Sequence, residues 1–267
     1  MSIVLTTLGI YFFVVLIAVS TVFLVATVLN DNSIMDIAYG PIYLIATVAT
    51  AHLTSAFGLL PTVMSILVAL WSVRLCLRIF HKNYGQPEDA RYAAWRTAWQ
   101  EKGQLYFVLR SYLQVFVLQG VIITLVSLPI VLALANPFSF NLWFVATGTV
   151  VWLLGFAIET VADWQLDRFI ARKKSGEEKS NLMTTGLFKN SRRPNYFGET
   201  LIWWGLAILV WPFAYGYAAI ISPLLITYIV TRVTGPMLEK IFMEKYGDEY
   251  QEYQRKTSYF IPLPPKS

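Results

Sequence analysis

Apolar positions in this chain come in long runs rather than at the alternating or one-face spacings of a water-soluble fold. Seven runs stand out, at about 3–29, 34–57, 59–80, 108–134, 140–162, 198–212 and 214–234. A membrane crossing needs roughly 20 mainly apolar residues, so each is a candidate span, the sixth a short one. The pattern predicts an all-α, polytopic integral membrane protein of about seven transmembrane helices. No long soluble stretch interrupts them, which predicts a single transmembrane domain over residues 1–267. The first run lacks a basic leader and exceeds the length of a signal-peptide core, so it reads as a retained helix.

Composition agrees with this class: 56% of the 267 residues are hydrophobic and 14% are charged. Charge placement adds an orientation. No Lys or Arg precedes Arg74, and the basic residues fall in 74–110, 168–193 and 232–266, whereas the turns near 58–61, 135–139 and 212–216 carry no charge. The positive-inside rule then predicts cytoplasmic loops at about 81–104 and 163–193, a cytoplasmic tail at 235–267, and an N-terminus outside. The net charge of +5 is accounted for by this bias, with anionic lipid or cofactor phosphate as further partners. Nothing in it calls for nucleic acid. The lone Cys76 leaves no intrachain disulfide and no cysteine-cluster metal site, and reads as a small buried apolar residue.

The loops have their own texture. Ala90 to Gln100 has the spacing of an amphipathic helix with Tyr92, Trp95 and Trp99 on one face, suited to a membrane interface. The tail places Tyr246, Tyr250 and Tyr253 at helical spacing and ends in a proline-rich stretch that cannot continue a helix.

Ionisable residues inside or beside apolar runs are candidates for chemistry, because an unpaired charge there is costly. Asp36 and Tyr39 lie three residues apart on the second run and share a face; a carboxyl beside a phenol can deliver a proton in a dry cavity, or Asp36 can pair with Arg74 or Arg78. Glu159 and Asp163, one turn apart, could accept hydrogen bonds from ribose hydroxyls or an adenine amine, or pair with Arg168 or Arg172. No histidine lies near them in sequence, so no transition-metal site is expected. His52, in an apolar run, reads as a structurally satisfied histidine.

The most informative stretch is Ser191-Arg192-Arg193-Pro194-Asn195-Tyr196-Phe197-Gly198-Glu199, preceded by Gly186-Leu187-Phe188 and leading into Trp203. It puts two arginines, an amide and a carboxylate at the mouth of an apolar helix. Arginine forks suit phosphates, and Asn with Glu suits a carboxamide; a dinucleotide offers both. There is no glycine-rich phosphate loop after a strand, so a soluble dinucleotide fold is excluded.

This constellation resembles the steroid 5α-reductase family of membrane enzymes, in particular its bacterial branch. Gly186-Leu187-Phe188, Asn195, Gly198, Glu199 and Trp203, Asp163 upstream, and the closing Thr257-Ser258-Tyr259-Phe260-Ile261-Pro262 carry the likeness. So do Asp36-Ile37-Ala38-Tyr39-Gly40, Glu88-Asp89-Ala90-Arg91-Tyr92 and Leu118-Gln119-Gly120. The resemblance implies a multi-pass enzyme of the bacterial inner membrane in which NADPH reduces the alkene of an α,β-unsaturated ketone in a lipid-like substrate, such as a Δ4-3-oxosteroid. It implies that Asn195 and Glu199 hold the nicotinamide carboxamide, that Asp163 contacts the adenosine or ribose end with Glu159 beside it, and that Trp203, Tyr246 and the motif's Tyr196 line the cofactor. Arg168, Arg172, Arg192 and Arg193 are assigned to phosphates from their charge. The family's Gln-Glu pair is replaced by Met35-Asp36, so Asp36 and Tyr39 are the local candidates to polarise the ketone. Two other classes fit less well: a membrane methyltransferase using S-adenosylmethionine, whose motif has a His where this chain has Arg193, and a non-enzymatic lipid-binding or transport protein.

Overall fold

The computed structural model describes residues 2–266. Their regular elements are helices, with no strand among the described residues and one isolated parallel bridge between Ser191 and Ser258. Among the described residues, six helices are long and apolar enough to cross a membrane: Ser2–Leu29, Ile34–Leu53, Leu59–Asn83, Gln104–Val126, Leu142–Lys174 and Gly216–Lys256. The expected sixth crossing is the helix Pro194–Val210, whose 17 residues fall short of that length. At 1.5 Å per residue it extends about 25 Å, against roughly 30 Å of hydrocarbon. The expected run 108–134 divides at Ser127, because Pro129 starts a new helix, Leu128–Ala135. The loop expected from residue 163 begins 12 residues later. Leu166 and Phe169 extend the apolar face beyond Asp163, and Phe169 is buried, so Leu142–Lys174 stays helical through its charged end.

The chain forms two compact units. The first comprises residues 1–141 with 212–219. Its N-terminal helix buries Thr7, Tyr11, Val15, Val19 and Ala26, a stripe at steps of four and seven. Its other faces expose large apolar side chains such as Phe13, Ile17 and Leu24, as a lipid-facing helix does. Tyr11 anchors this stripe through a 2.9 Å hydrogen bond to the Ser127 hydroxyl. The amphipathic helix forms over Ala90–Gln100 as the spacing predicts, capped by Asp89, whose carboxylate accepts from the Arg91 amide. Tyr92 and Trp99 are buried and Trp95 is exposed. The preceding loop is pinned by Glu88, which accepts two 2.9 Å hydrogen bonds from Arg96 and one of 2.7 Å from the Asn32 amide. His52 bonds the Val48 carbonyl at 2.9 Å, the structural role expected of it, whereas Cys76 is half-buried rather than enclosed.

The second unit comprises residues 142–211 with 220–267. Its spine is the close crossing of Leu142–Lys174 with Pro194–Val210. Glycines seven residues apart on each helix meet in register, Gly155 against Gly198 and Gly148 against Gly205. A methyl on Gly198 would sit 2.6 Å from the Glu159 amide nitrogen and 2.7 Å from the Gly155 carbonyl oxygen, so only glycine permits this approach. The tail helix Gly235–Lys256 kinks at Gly247, which adopts φ 50°. Beyond it the extended end folds back along the motif segment. The Arg192 amide donates to the Ser258 carbonyl at 2.8 Å, Leu263 donates to Asn190 at 3.0 Å, and the Ser191 hydroxyl donates to the Phe260 carbonyl at 2.8 Å.

Candidate functional site

The Gly186–Lys189 segment makes a single tight turn in which Phe188 is buried. Its position is fixed from two sides: the Leu187 amide donates to the Gln165 side chain at 2.9 Å, and the Tyr253 hydroxyl donates to the Phe188 carbonyl at 2.6 Å. Beginning three residues further on, the chain delivers Arg192 and Arg193 to the second unit's interior. Pro194 then opens the next helix at its first position, where a missing amide hydrogen costs nothing. Asn195 and Glu199 follow at i and i+4, both half-buried, with the buried Trp203 one turn beyond on the same face.

Arg192, Arg193 and Tyr246 line one cavity of about 390 Å³. Its walls are aromatic and cationic: Phe169, Phe188, Phe242, Tyr250 and Tyr253 contribute rings, and Lys173, Lys174 and Lys245 add charge. Arg168 and Arg172 line a second cavity of about 340 Å³ with Trp164, Gln165 and Gly186, and the two cavities share Phe169 and Met183 as walls. The cationic set expected to bind phosphate is therefore divided. Arg172 pairs with Glu178 at 2.6 Å and Arg168 lies 5.5 Å from the Trp164 ring centre. The alternative reading of Arg172 as a partner for Glu159 or Asp163 is thus replaced by a local pair with Glu178. Glu159 and Asp163 are both buried on the long helix, at 5% and 4% exposure. Neither they nor Asn195, Tyr196, Glu199 and Trp203 line these two cavities.

Glu239 is a residue that sequence reasoning passed over. It accepts from Arg192 at 2.8 and 3.4 Å, from the Tyr250 hydroxyl at 2.5 Å and from Gln254 at 2.8 Å, and Arg193 approaches it at 3.7 Å. The signal was an acid three residues after a helix-opening glycine–proline pair, eleven residues before Tyr250; it was masked by the high charge of the tail.

In the first unit, Asp36 and Tyr39 are both half-buried but face different partners. The phenol on Asp36 is that of Tyr92, donating at 2.7 Å, and the cation is Arg91 at 3.2 Å, rather than Arg74 or Arg78. Gln119 donates to the Tyr92 hydroxyl at 3.3 Å, and Tyr39 is hydrogen-bonded to the Tyr43 hydroxyl at 3.0 Å. Burial first, and then the Asp36 carboxylate, hold the Tyr92 hydroxyl above the ordinary phenol range. The Arg91 side chain beside Asp89 holds that carboxyl below its ordinary range.

Comparison with known proteins bears on all of these residues. Residues 22–257 match the family described as "Protein of unknown function (DUF1295)". Among curated proteins, an uncharacterized protein of Schizosaccharomyces pombe is 26% identical over 227 residues, covering 75% of this chain and 62% of that one. A steroid 5-alpha-reductase of Gossypium hirsutum is 26% identical over 119 residues, covering 45% and 43%. A 3-oxo-5-alpha-steroid 4-dehydrogenase 1 of Rattus norvegicus is 26% identical over 117 residues, covering 44% and 40%. The matches thus span less than two thirds of these relatives' own length. No solved structure matches the chain.

Proposed function

We propose that this chain, which belongs to the DUF1295 family, is a multi-pass membrane reductase that uses NADPH to reduce the alkene of an α,β-unsaturated ketone in a lipid-like substrate, a Δ4-3-oxosteroid or similar enone. The likeness to proteins named as steroid 5α-reductases supports the reaction class. The observation that carries the cofactor is the second unit's cavity: aromatic walls beside a buried guanidinium, Arg193, which still has hydrogen-bond donors to offer. That donor set fits a phosphate-bearing, planar group.

When bound, NADPH supplies a hydride to the alkene's β-carbon. The residues do the rest. Asn195 and Glu199, one turn apart at the start of the helix, orient a carboxamide by donating to and accepting from it. Glu159 and Asp163 accept from hydroxyls or an amine, with Tyr196, Trp203 and Tyr246 as apolar or stacking walls. Arg193 belongs to the phosphate end, and Arg192, bonded to Glu239 and to the carbonyls of Gln254 and Thr257, holds the segment beside it in place. Arg168 and Arg172, in the second cavity, are assigned a supplementary electrostatic role. Asp36, paired with Arg91, suits the ionised state, in which it accepts from Tyr92 rather than giving up a proton. The hydroxyl we assign to the ketone oxygen is therefore Tyr39, backed by Tyr43, with Asp36 as a positioning residue. We place the protein in a cell membrane, the bacterial inner membrane being the setting that the charge bias suits.

The test is turnover by purified protein in detergent with NADPH and a panel of enones, Δ4-3-oxosteroids first. Loss of NADPH absorbance with formation of the saturated ketone is expected, and Tyr39→Phe should slow it. Binding of S-adenosylmethionine with no affinity for NADPH would replace this reading with a methyltransferase.

A further inference from the structure

The two adjacent arginines at the mouth of the motif helix look equivalent in sequence. Their surroundings are not. Arg192 has used its donors within the protein. It gives two hydrogen bonds to Glu239 and two more, at 3.2 and 2.7 Å, to the backbone carbonyls of Gln254 and Thr257. Arg192 is thereby a strut that ties the motif to the tail helix and its end.

Arg193 is 9% exposed, yet among the described residues its Nε and one Nη find no hydrogen-bond partner. Its only ionic contact in the group is Glu239 at 3.7 Å, beyond hydrogen-bond reach. The guanidinium is held over the Phe242 ring, 5.0 Å from its centre, which fixes its plane at the cavity wall without consuming its donors. Charge points the same way. Two guanidiniums share the single carboxylate of Glu239, whose lone pairs are already taken up by Arg192, Tyr250 and Gln254. One positive charge is left over at a buried position. Buried donors left unmet are costly, and an incoming acceptor would remove that cost.

We propose that Arg193 is the anion receptor of this cavity, taking a phosphate or pyrophosphate oxygen pair, while Arg192 has no ligand role and Glu239 is the positioning residue that separates the two duties. The proposal deepens the cofactor reading above, since the anion would be a phosphate of NADPH, but its chemistry can be tested apart from that reading.

The experiment uses the full chain in detergent, with NADPH and inorganic pyrophosphate as separate probes, read by calorimetry and by melting temperature. Arg193→Gln should keep its melting temperature close to wild type and lose about tenfold or more in affinity for both probes, as expected for a charge-assisted fork. Arg192→Gln should instead lower the melting temperature. Arg193→Lys, which keeps the charge without the fork, should bind both probes more weakly than wild type. Undiminished affinity in folded Arg193→Gln, or in Arg193→Lys should the glutamine variant not fold, overturns the proposal. Arginine-193-dependent binding of pyrophosphate without any binding of NADPH would keep the anion site and remove the NADPH reading. NADPH binding that pyrophosphate does not compete with and Arg193→Gln does not weaken would do the reverse.

Discussion

Replacing Gly198 by alanine probes the feature on which the second unit depends. The added methyl would lie 2.6 Å from the Glu159 amide nitrogen, 2.7 Å from the Gly155 carbonyl oxygen and 2.8 Å from the Glu159 Cβ. Ordinary contact begins near 3.4 Å, so the two helices must separate by about 0.8 Å at this crossing. Two of those atoms are backbone, which no rotamer change can relieve. Overpacking of this kind costs about 1–3 kcal/mol, while alanine's better helix propensity returns about 1 kcal/mol, leaving a net loss of up to about 2 kcal/mol. Gly9, which has nothing within 4 Å of its would-be Cβ, is the control: there alanine should be neutral or stabilising by up to about 1 kcal/mol. Gly198 also stands between Asn195 and Glu199 on one helix and packs against Glu159 on the other. A sub-ångström displacement of such groups should weaken NADPH binding by about tenfold or more. Thermal melts followed by tryptophan fluorescence, together with NADPH titrations, read both effects. A Gly198→Ala protein as stable as wild type and with unchanged affinity would refute the glycine-crossing account.

Two further outcomes follow from the first unit. Asp36→Ala should release the helix Ala90–Gln100 and speed proteolysis within residues 84–103, because it removes a hydrogen bond to a charged acceptor worth about 1.5–3 kcal/mol. Arg91→Ala removes half-exposed ion pairs to Asp36 and Asp89, each worth under about 1 kcal/mol, and should release the helix less, so equal cleavage rates in the two variants would argue against this division. Tyr92→Phe tests the raised hydroxyl. A group whose folded pKa is raised contributes stability that is present below the ordinary phenol value of about 10 and lost as pH rises through the folded value. The wild-type melting temperature should therefore fall more steeply above pH 10 than that of Tyr92→Phe, and parallel curves would contradict it.

The long apolar runs were legible in the sequence because membrane helices declare themselves by length, and the six candidate crossings among the described residues each begin within a few residues of where a run does. The helix Ala90–Gln100 was equally plain, since its aromatic spacing and the capping Asp89 agree. What composition hides is length measured against a neighbour. Pro194–Val210 looks like a span by hydropathy, but ten of its 17 residues are buried against protein. The glycine register was available as two pairs spaced by seven, 148 with 155 and 198 with 205, though only a partner helix gives that spacing meaning. For the site, the motif pointed to Arg192 and Arg193 and the family resemblance to Tyr246, and these three converge on one cavity. Charge alone could not separate Arg168 and Arg172 from them. Nor could it show that Glu239, 47 residues from Arg192, is the acid on which the arginine pair is built, because that contact is made by tertiary folding.

The central claim is a nicotinamide cofactor held by the motif helix, and its most direct test is NADPH binding to the detergent-purified chain compared with Glu199→Ala. Saturable binding by wild type, lost in a Glu199→Ala protein of unchanged melting temperature, is the predicted result. A well-folded wild type that binds no NADPH, or a Glu199→Ala variant that binds it as tightly, would contradict the account.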